Sequence, residues 1–355
     1  MASWNHIEIT VDGKLVKAQA PSIVSASRST DIPAFYADWF FHRLEEGYSA
    51  WTNPFNGVKS YVSYKDTRFI VFWSKNPRPL LPHLDYLKEH NIGCYIQYTL
   101  NDYEKEGLER GVRPLAERID TFKLLVNKLG LGSVIWRFDP MILTDDISIS
   151  ELLDKVQNIG ERLKGYAEKL VFSYADILSY RKVKANLEKS HIPYKEWTEK
   201  QMDEFARKLS NMNKELGWNF QLATCGEKID LKKYGILHNR CIDGDLIARL
   251  AWQDKKLMDF MKVKIENVPT PSLFGESKLP EGAILLPQAH YFVSKHKKDQ
   301  GQRTFCECMA SKDIGEYNTC PHLCEYCYAN TTKQIAIDNW NRHLQNKKSE
   351  TITGK

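Results

Sequence analysis

The sequence predicts an α/β protein, a TIM-like or partial (β/α) barrel of parallel strands, and three observations carry that expectation. Six short apolar runs recur along the chain at 23–26, 69–73, 93–98, 134–136, 170–172 and 220–223. Stretches of mostly helical length and amphipathic pattern separate them, as in repeated β-α units. Each run ends in polar or charged residues, and the carboxyl ends of parallel strands open on one face, where such folds hold their chemistry.

The elements follow in order. Residues 1–20 form an N-terminal extension; His6, Glu8 and Asp12 interrupt it, so it contains no signal peptide or membrane span. A soluble, cytoplasmic protein with no membrane partner is expected. The barrel body covers 21–250. Its first run ends in Ser27, Arg28, Thr30 and Asp31 and leads to a helix over 35–44. The interval 48–64 breaks the theme; Trp51, Asn53, Pro54, Phe55, Asn56 and Gly57 read as a loop or hairpin that serves as a lid. The next ends are Ser74, Lys75 and Asn76, then Thr99, Asn101 and Asp102, then Arg137 and Asp139. Ser173, Tyr174 and Asp176 follow, and the last run gives Thr224, Cys225 and Glu227. Apolar spacing predicts helices over 80–88, 115–129, 149–163 and 202–216. Taken singly, Asp31, Asp139 and Asp176 read as caps of the helices they precede. Residues 251–304, with Pro269, Pro271, Pro280 and a lysine-rich run at 295–298, read as a connecting arm with a strand at 283–286. A cysteine-rich loop and helix over 305–345 complete the barrel, and 346–355 is expected to be a disordered tail.

Composition narrows the function classes. With 355 residues and 42% hydrophobic content the chain can bury a large core. Its charge of +5, from 50 basic and 45 acidic residues, permits nucleic acid as a partner without demanding it. No G-x-G-x-x-G occurs, and the nearest approach to a Walker loop, Gly160 to Gly165, is followed by Tyr166 where a lysine is required, which argues against P-loop chemistry. Eight cysteines are unevenly spread, five of them between Cys306 and Cys327. In a chain of this kind that pattern points to metal rather than disulfides.

The densest signal is Thr319-Cys320-Pro321-His322-Leu323-Cys324-Glu325-Tyr326-Cys327-Tyr328, a C-x3-C-x2-C. Three thiolates hold three irons of a [4Fe–4S] cubane and leave the fourth iron open. Spacing and the aromatic residue before the last cysteine resemble the radical S-adenosylmethionine enzymes. That resemblance implies a [4Fe–4S] cluster on Cys320, Cys324 and Cys327, S-adenosylmethionine as cofactor, and an electron donor such as flavodoxin or ferredoxin. Arg28 or Arg137 would then pair with the methionine carboxylate. Asp31 or Asp139 would bind its ribose or amino group, Tyr326 and Tyr328 would pack on the adenine, and Lys75, Asn76, Thr99, Asn101 and Tyr174 would line the substrate side.

Such enzymes carry the cysteine loop after their first strand, whereas here it comes last. Residues 312–317 supply a short strand, the loop follows, and 331–344 reads as a helix with Ile335, Ile337, Trp340 and Leu344 inward. The expectation is a circularly permuted radical S-adenosylmethionine barrel whose final unit docks beside 23–26. Val24 to Pro33, Phe72 to Pro77, Trp136 to Pro140 and the cysteine block together resemble the family named domain of unknown function 1848, over about 22–329. Cys324 to Asn330 also resembles the cluster loop of spore photoproduct lyases.

Four cysteines remain: Cys225, Cys241, Cys306 and Cys308. They match the number that closes a tetrahedral zinc site or an auxiliary iron-sulfur cluster, with His238, His290, His296 and His322 as substitutes. Cys94 reads as a small buried hydrophobe. Two other functions stay open beside a radical enzyme of unidentified small-molecule or nucleic-acid substrate. One is a radical repair lyase with a basic groove containing Lys182, Lys184, Lys295, Lys297, Lys298 and Arg303. The other is a non-catalytic zinc-binding or nucleic-acid-binding protein in which 306–327 forms a metal knuckle.

Overall fold

The computed structural model describes residues 4–53, 56–269 and 279–355, so Pro54, Phe55 and Pro271 of the loop and arm above lie outside the described residues. Eight strands form the central sheet: β1 Ile23–Ala26, β2 Phe69–Ser74, β3 Gly93–Thr99, β4 Val134–Met141, β5 Lys169–Tyr174, β6 Gln221–Thr224, β7 Leu237–His238 and β8 Lys312–Asp313. Their order is β7-β6-β5-β4-β3-β2-β1-β8, and every neighbouring pair is parallel. The chain therefore crosses the sheet one strand at a time, and only the last strand returns. β8 pairs with β1 in the register Lys312 to Val24 and Asp313 to Ser25. This is the docking expected for the final unit. β7 and β8 are two residues long each, too short to stand out as apolar runs.

Alternation along the strands divides the core in two. Val24, Ile70, Phe72, Ile96, Tyr98, Trp136 and Phe172 face one way, toward helices Ala37–Glu45, Leu115–Leu129, Ile149–Leu163 and Glu199–Glu215. Two of these helices start where local chemistry dictates: Ser148 with Glu151, and Thr198 with Gln201, form capping boxes. Inward side chains such as Leu152, Val156 and Ile159 are buried, each contributing about 1.5–3 kcal/mol.

Ile23, Phe69, Val71, Tyr95, Ile135 and Val171 face the opposite way. They are covered by Leu246 and Ile247 of helix Gly244–Ala251, Leu257 and Met258 of helix Lys255–Met261, and Phe292 of a three-stranded antiparallel sheet. That sheet comprises Glu266–Asn267, Ala283–Leu286 and His290–Val293. Much of the region read as a connecting arm is thus a second layer, because its scattered apolar residues had a sheet face to cover.

The termini depart from expectation in the same way. Asn5–Val11 and Lys14–Ala20 form a hairpin about Asp12 and Gly13, both at positive φ, as a two-residue turn requires. It joins Tyr48–Thr52 and Lys59–Ser63 in a four-stranded sheet. At the other end, the expected disordered tail is packed: Trp39 donates its indole N–H to the Ser349 carbonyl at 2.8 Å, the Ala50 N–H reaches the Glu350 carbonyl at 2.8 Å, and Ile352 is buried. Among the described residues no helix is long and apolar enough to cross a membrane.

Candidate metal centre and strand-end site

After β8 the chain enters the cysteine loop, which ends at helix Lys333–Gln345. The loop is held from several sides. The Tyr36 hydroxyl donates to the Thr319 carbonyl at 2.6 Å, Asn330 Nδ2 to the Cys320 carbonyl at 2.8 Å, and the Glu325 N–H to the Leu108 carbonyl at 2.9 Å. Asn186 Nδ2 donates to the Cys327 carbonyl at 3.0 Å. The His322 ring bridges the loop to the body, with Nε2 at 2.8 Å from Asp31 and Nδ1 at 3.1 Å from the Gly111 carbonyl. Asp31 is the keystone: one carboxylate oxygen caps the helix at Ala34 and accepts from Ser74 at 2.6 Å, while the other accepts the Lys75 N–H at 2.7 Å and faces His322.

Gly111 lies so close to the loop that an added Cβ would sit 2.3 Å from the His322 carbonyl oxygen. Gly111→Ala is expected to lower stability by about 1–3 kcal/mol through overpacking and to move the cysteine loop. Urea unfolding checks the first effect and accessibility of the three thiols to a thiol reagent checks the second.

The three thiols suit a cubane held at three corners. Cys320, Cys324 and Cys327 are near enough that their charges act on one another, and burial pushes each thiol up. Groups that favour thiolates are in place: the Lys75 cation acts on Cys324, and the Asn330 N–H points at Cys327 Sγ at 3.3 Å. Among the described residues no group of three or more His, Cys, Asp or Glu side chains stands ready to hold a metal ion. A cubane makes a different demand, because its ligands bind separate irons and stand further apart than ligands of a single ion.

Under this loop lies a buried polar network that the sequence did not reveal. Glu109 accepts from Lys75 Nζ at 2.6 Å, from Asn101 Nδ2 at 3.1 Å and from the Tyr326 hydroxyl. Lys75 Nζ and Asn101 Nδ2 also reach the Tyr326 oxygen, at 2.9 and 3.0 Å. Arg118 stands 3.9 Å from the second Glu109 oxygen. Burial alone would push the Glu109 carboxyl up, but the Lys75 and Arg118 charges and the hydrogen bonds outweigh it and hold it below its ordinary value.

Several expected roles change accordingly. Lys75 and Asn101 hold the Tyr326 hydroxyl. Tyr326 is buried with its hydroxyl in the network, whereas Tyr328 is 44% exposed and lies beside Tyr180. The exposed aromatic face next to the cysteines is therefore that of Tyr328. Tyr174 turns into the core, its ring 4.7 Å from that of Trp197 and its hydroxyl bonded to the Met202 carbonyl at 2.8 Å. Thr99 and Asn76 are half-buried at the ends of β3 and β2, with Thr99 in register with Arg137.

Arg28 and Arg137 converge from β1 and β4, their guanidinium carbons 5.5 and 5.3 Å from the centre of the Trp73 ring. Arg137 pairs with Asp139, which also accepts from Ser173. Asp31 and Asp139 thus already have protein partners, and Asp31 is a cap as well. The four remaining cysteines meet here. Cys225 Sγ and Cys241 Sγ are 3.3 Å apart, and Cys306 and Cys308 lie close enough to Cys241 for their charges to act on one another. Cys94 stands apart, half-buried, its thiol pushed up to about 12 by desolvation. His290 Nδ1 is 3.3 Å from the Pro287 carbonyl, His296 is 3.9 Å from Glu307, and His322 serves the loop.

Glu227 follows β6 at the same end and gives its carboxylate to the Tyr174 N–H at 2.9 Å. Burial, with Asp139 and Asp176 nearby, raises its pKa to about 7. Because the folded value lies above the ordinary 4.5, the native state holds a proton that the unfolded chain has released between these limits. This contribution is fully present below the ordinary value and is lost as pH rises through about 7. Glu227→Gln is expected to flatten that part of the stability–pH curve, which denaturant midpoints at pH steps would reveal.

The comparisons place this geometry in a family. No curated protein and no solved structure matches the chain significantly. The profile described as "Domain of unknown function (DUF1848)" matches residues 23–329, from β1 through the cysteine loop. The chain belongs to the DUF1848 family.

Proposed function

We propose that this protein is an iron-sulfur enzyme of the radical S-adenosylmethionine type on a circularly permuted partial barrel. The observation that carries the reading is the pairing of β8 with β1. In chain order the cysteine loop comes last, yet in the sheet it follows the strand next to β1, so it meets the same end as the polar residues after β1, β2, β3 and β4. Cys320, Cys324 and Cys327 would hold the cubane. When bound, the cluster and S-adenosylmethionine would supply, with one electron from a donor such as flavodoxin or ferredoxin, cleavage of the sulfonium to methionine and a 5'-deoxyadenosyl radical.

The chain's own residues bind, orient and exclude water. Asp31 and His322 fix the loop, and the Lys75–Glu109–Tyr326 network fixes the segment between Cys324 and Cys327. Tyr328 offers its ring to the adenine. Thr99 and Asn76 stay on the substrate side, and Glu227, with a pKa of about 7, suits proton transfer near neutral pH. Anaerobic reconstitution with iron and sulfide, followed by reduction with dithionite and an assay for 5'-deoxyadenosine, tests the reading. Formation of that product with methionine is expected; reconstituted protein that neither binds nor cleaves S-adenosylmethionine overturns it.

A further inference from the structure

We propose that Cys225, Cys241, Cys306 and Cys308 form a second, structural metal site that takes a single tetrahedral ion of the zinc type rather than a second cubane. It stands independently of the radical-enzyme reading. The four thiols come from three separate places in the chain: Cys225 after β6, Cys241 after β7, and Cys306 with Cys308 on the segment leading to β8. Only folding brings them together.

Spacing distinguishes the two metals. Four thiolates about 2.3 Å from one zinc ion stand about 3.8 Å from each other. The Cys225–Cys241 separation is 3.3 Å, and Cys306 and Cys308 lie close enough to Cys241 for their charges to act on one another. Among the described residues no three ligands already surround a point, so side-chain rotations are needed before the four sulfurs enclose an ion. Cys225 and Cys241, at 3.3 Å, would have to move apart to bind separate irons of a cubane.

The surroundings suit thiolates. Cys241 Sγ accepts from Arg137 Nη1 at 3.1 Å and from Asn239 Nδ2 at 3.2 Å, and the Ile242 N–H points at Cys308 Sγ at 3.4 Å. Such outer donors fix thiolate ligands. Arg28 lies among Cys308, Cys241, Cys306 and Asp313, and its Nη2 is buried with no hydrogen-bond partner. A divalent ion on four thiolates carries a net charge of −2, which two guanidiniums offset; Asp139 and Asp313 pull on the same two arginines. The ion would join β6, β7 and the segment before β8, fixing the strand that delivers the cysteine loop.

The test uses the full chain carrying Cys320→Ala, Cys324→Ala and Cys327→Ala, which leaves only the second site. Expressed with zinc, it should retain about one zinc per chain, and X-ray absorption should give four sulfurs at about 2.3 Å. Adding Cys241→Ser and Cys308→Ser should remove the zinc. Iron with inorganic sulfide in place of zinc, zinc bound by fewer than three sulfurs, or no metal at all overturns the proposal. Should the triple variant fail to fold, the same absorption measurement at the zinc edge is made on the natural sequence after its cubane has been reconstituted. Four sulfurs support the proposal there and any other set overturns it. Loss of 5'-deoxyadenosine formation alone leaves these readouts unmoved, so the two proposals fail separately.

Discussion

Cys324→Ala is expected to abolish both the cubane spectrum and formation of 5'-deoxyadenosine. Cys324 is the buried middle cysteine of the three proposed to hold the cubane, and its thiol lies where the Lys75 charge acts on it. Removing it leaves two protein ligands, too few to hold the cubane with one iron open. The activity loss should exceed the 10–100-fold that removal of an outer partner of a metal ligand costs. The folded body should persist, because Asp31, Glu325 and Tyr36 hold the loop by contacts that do not involve this side chain. Iron analysis, visible absorption and product assay on the same preparation check this together. Survival of the cluster and product would overturn the ligand assignment.

Lys75→Met is expected to destabilise the protein by about 3 kcal/mol, the lower end for breaking a buried pair from one side. It leaves Glu109, 4% exposed, facing Asn101 and Tyr326 with only Arg118 to compensate. The pair also sets a pH limit. Since the folded Glu109 pKa is depressed, its contribution is present above the ordinary carboxyl range and is lost as pH falls through the folded value. Glu109→Gln in the Lys75→Met background should recover part of the loss, because it removes the stranded charge. Denaturant unfolding of the two single variants and the double variant gives the coupling. A Lys75→Met protein as stable as the original would show that the network is not held by its charges.

The expected parallel β-α pattern came through most clearly where elements are long and regularly patterned. Leu115–Leu129 and Ile149–Leu163 coincide with their expected helices, because apolar spacing and, at Ser148, a capping box act within a few residues. The cysteine spacing marked the loop, and its unusual position in the chain pointed to the β1 edge. What escaped detection depends on distant partners. β7 and β8 are strands only because β6 and β1 offer free edges. Glu109 stands among Lys105, Glu106 and Arg110 in the sequence, and nothing local indicates that Lys75, 34 residues away, pairs with it in a buried network. Tyr326 and Tyr328 are the same residue type two positions apart, yet one is enclosed and the other open. The quartet of Cys225, Cys241, Cys306 and Cys308 was legible as a count, whereas its geometry depended on the fold.

The central claim is that three cysteines hold a cubane whose fourth iron is open to S-adenosylmethionine. Electron paramagnetic resonance of the reconstituted, reduced protein tests it directly, with and without S-adenosylmethionine labelled with nitrogen-15 at the methionine amino group. A changed cluster signal on addition and hyperfine coupling from the labelled nitrogen are expected. An unchanged signal without that coupling, from protein with a full cubane complement, would contradict it.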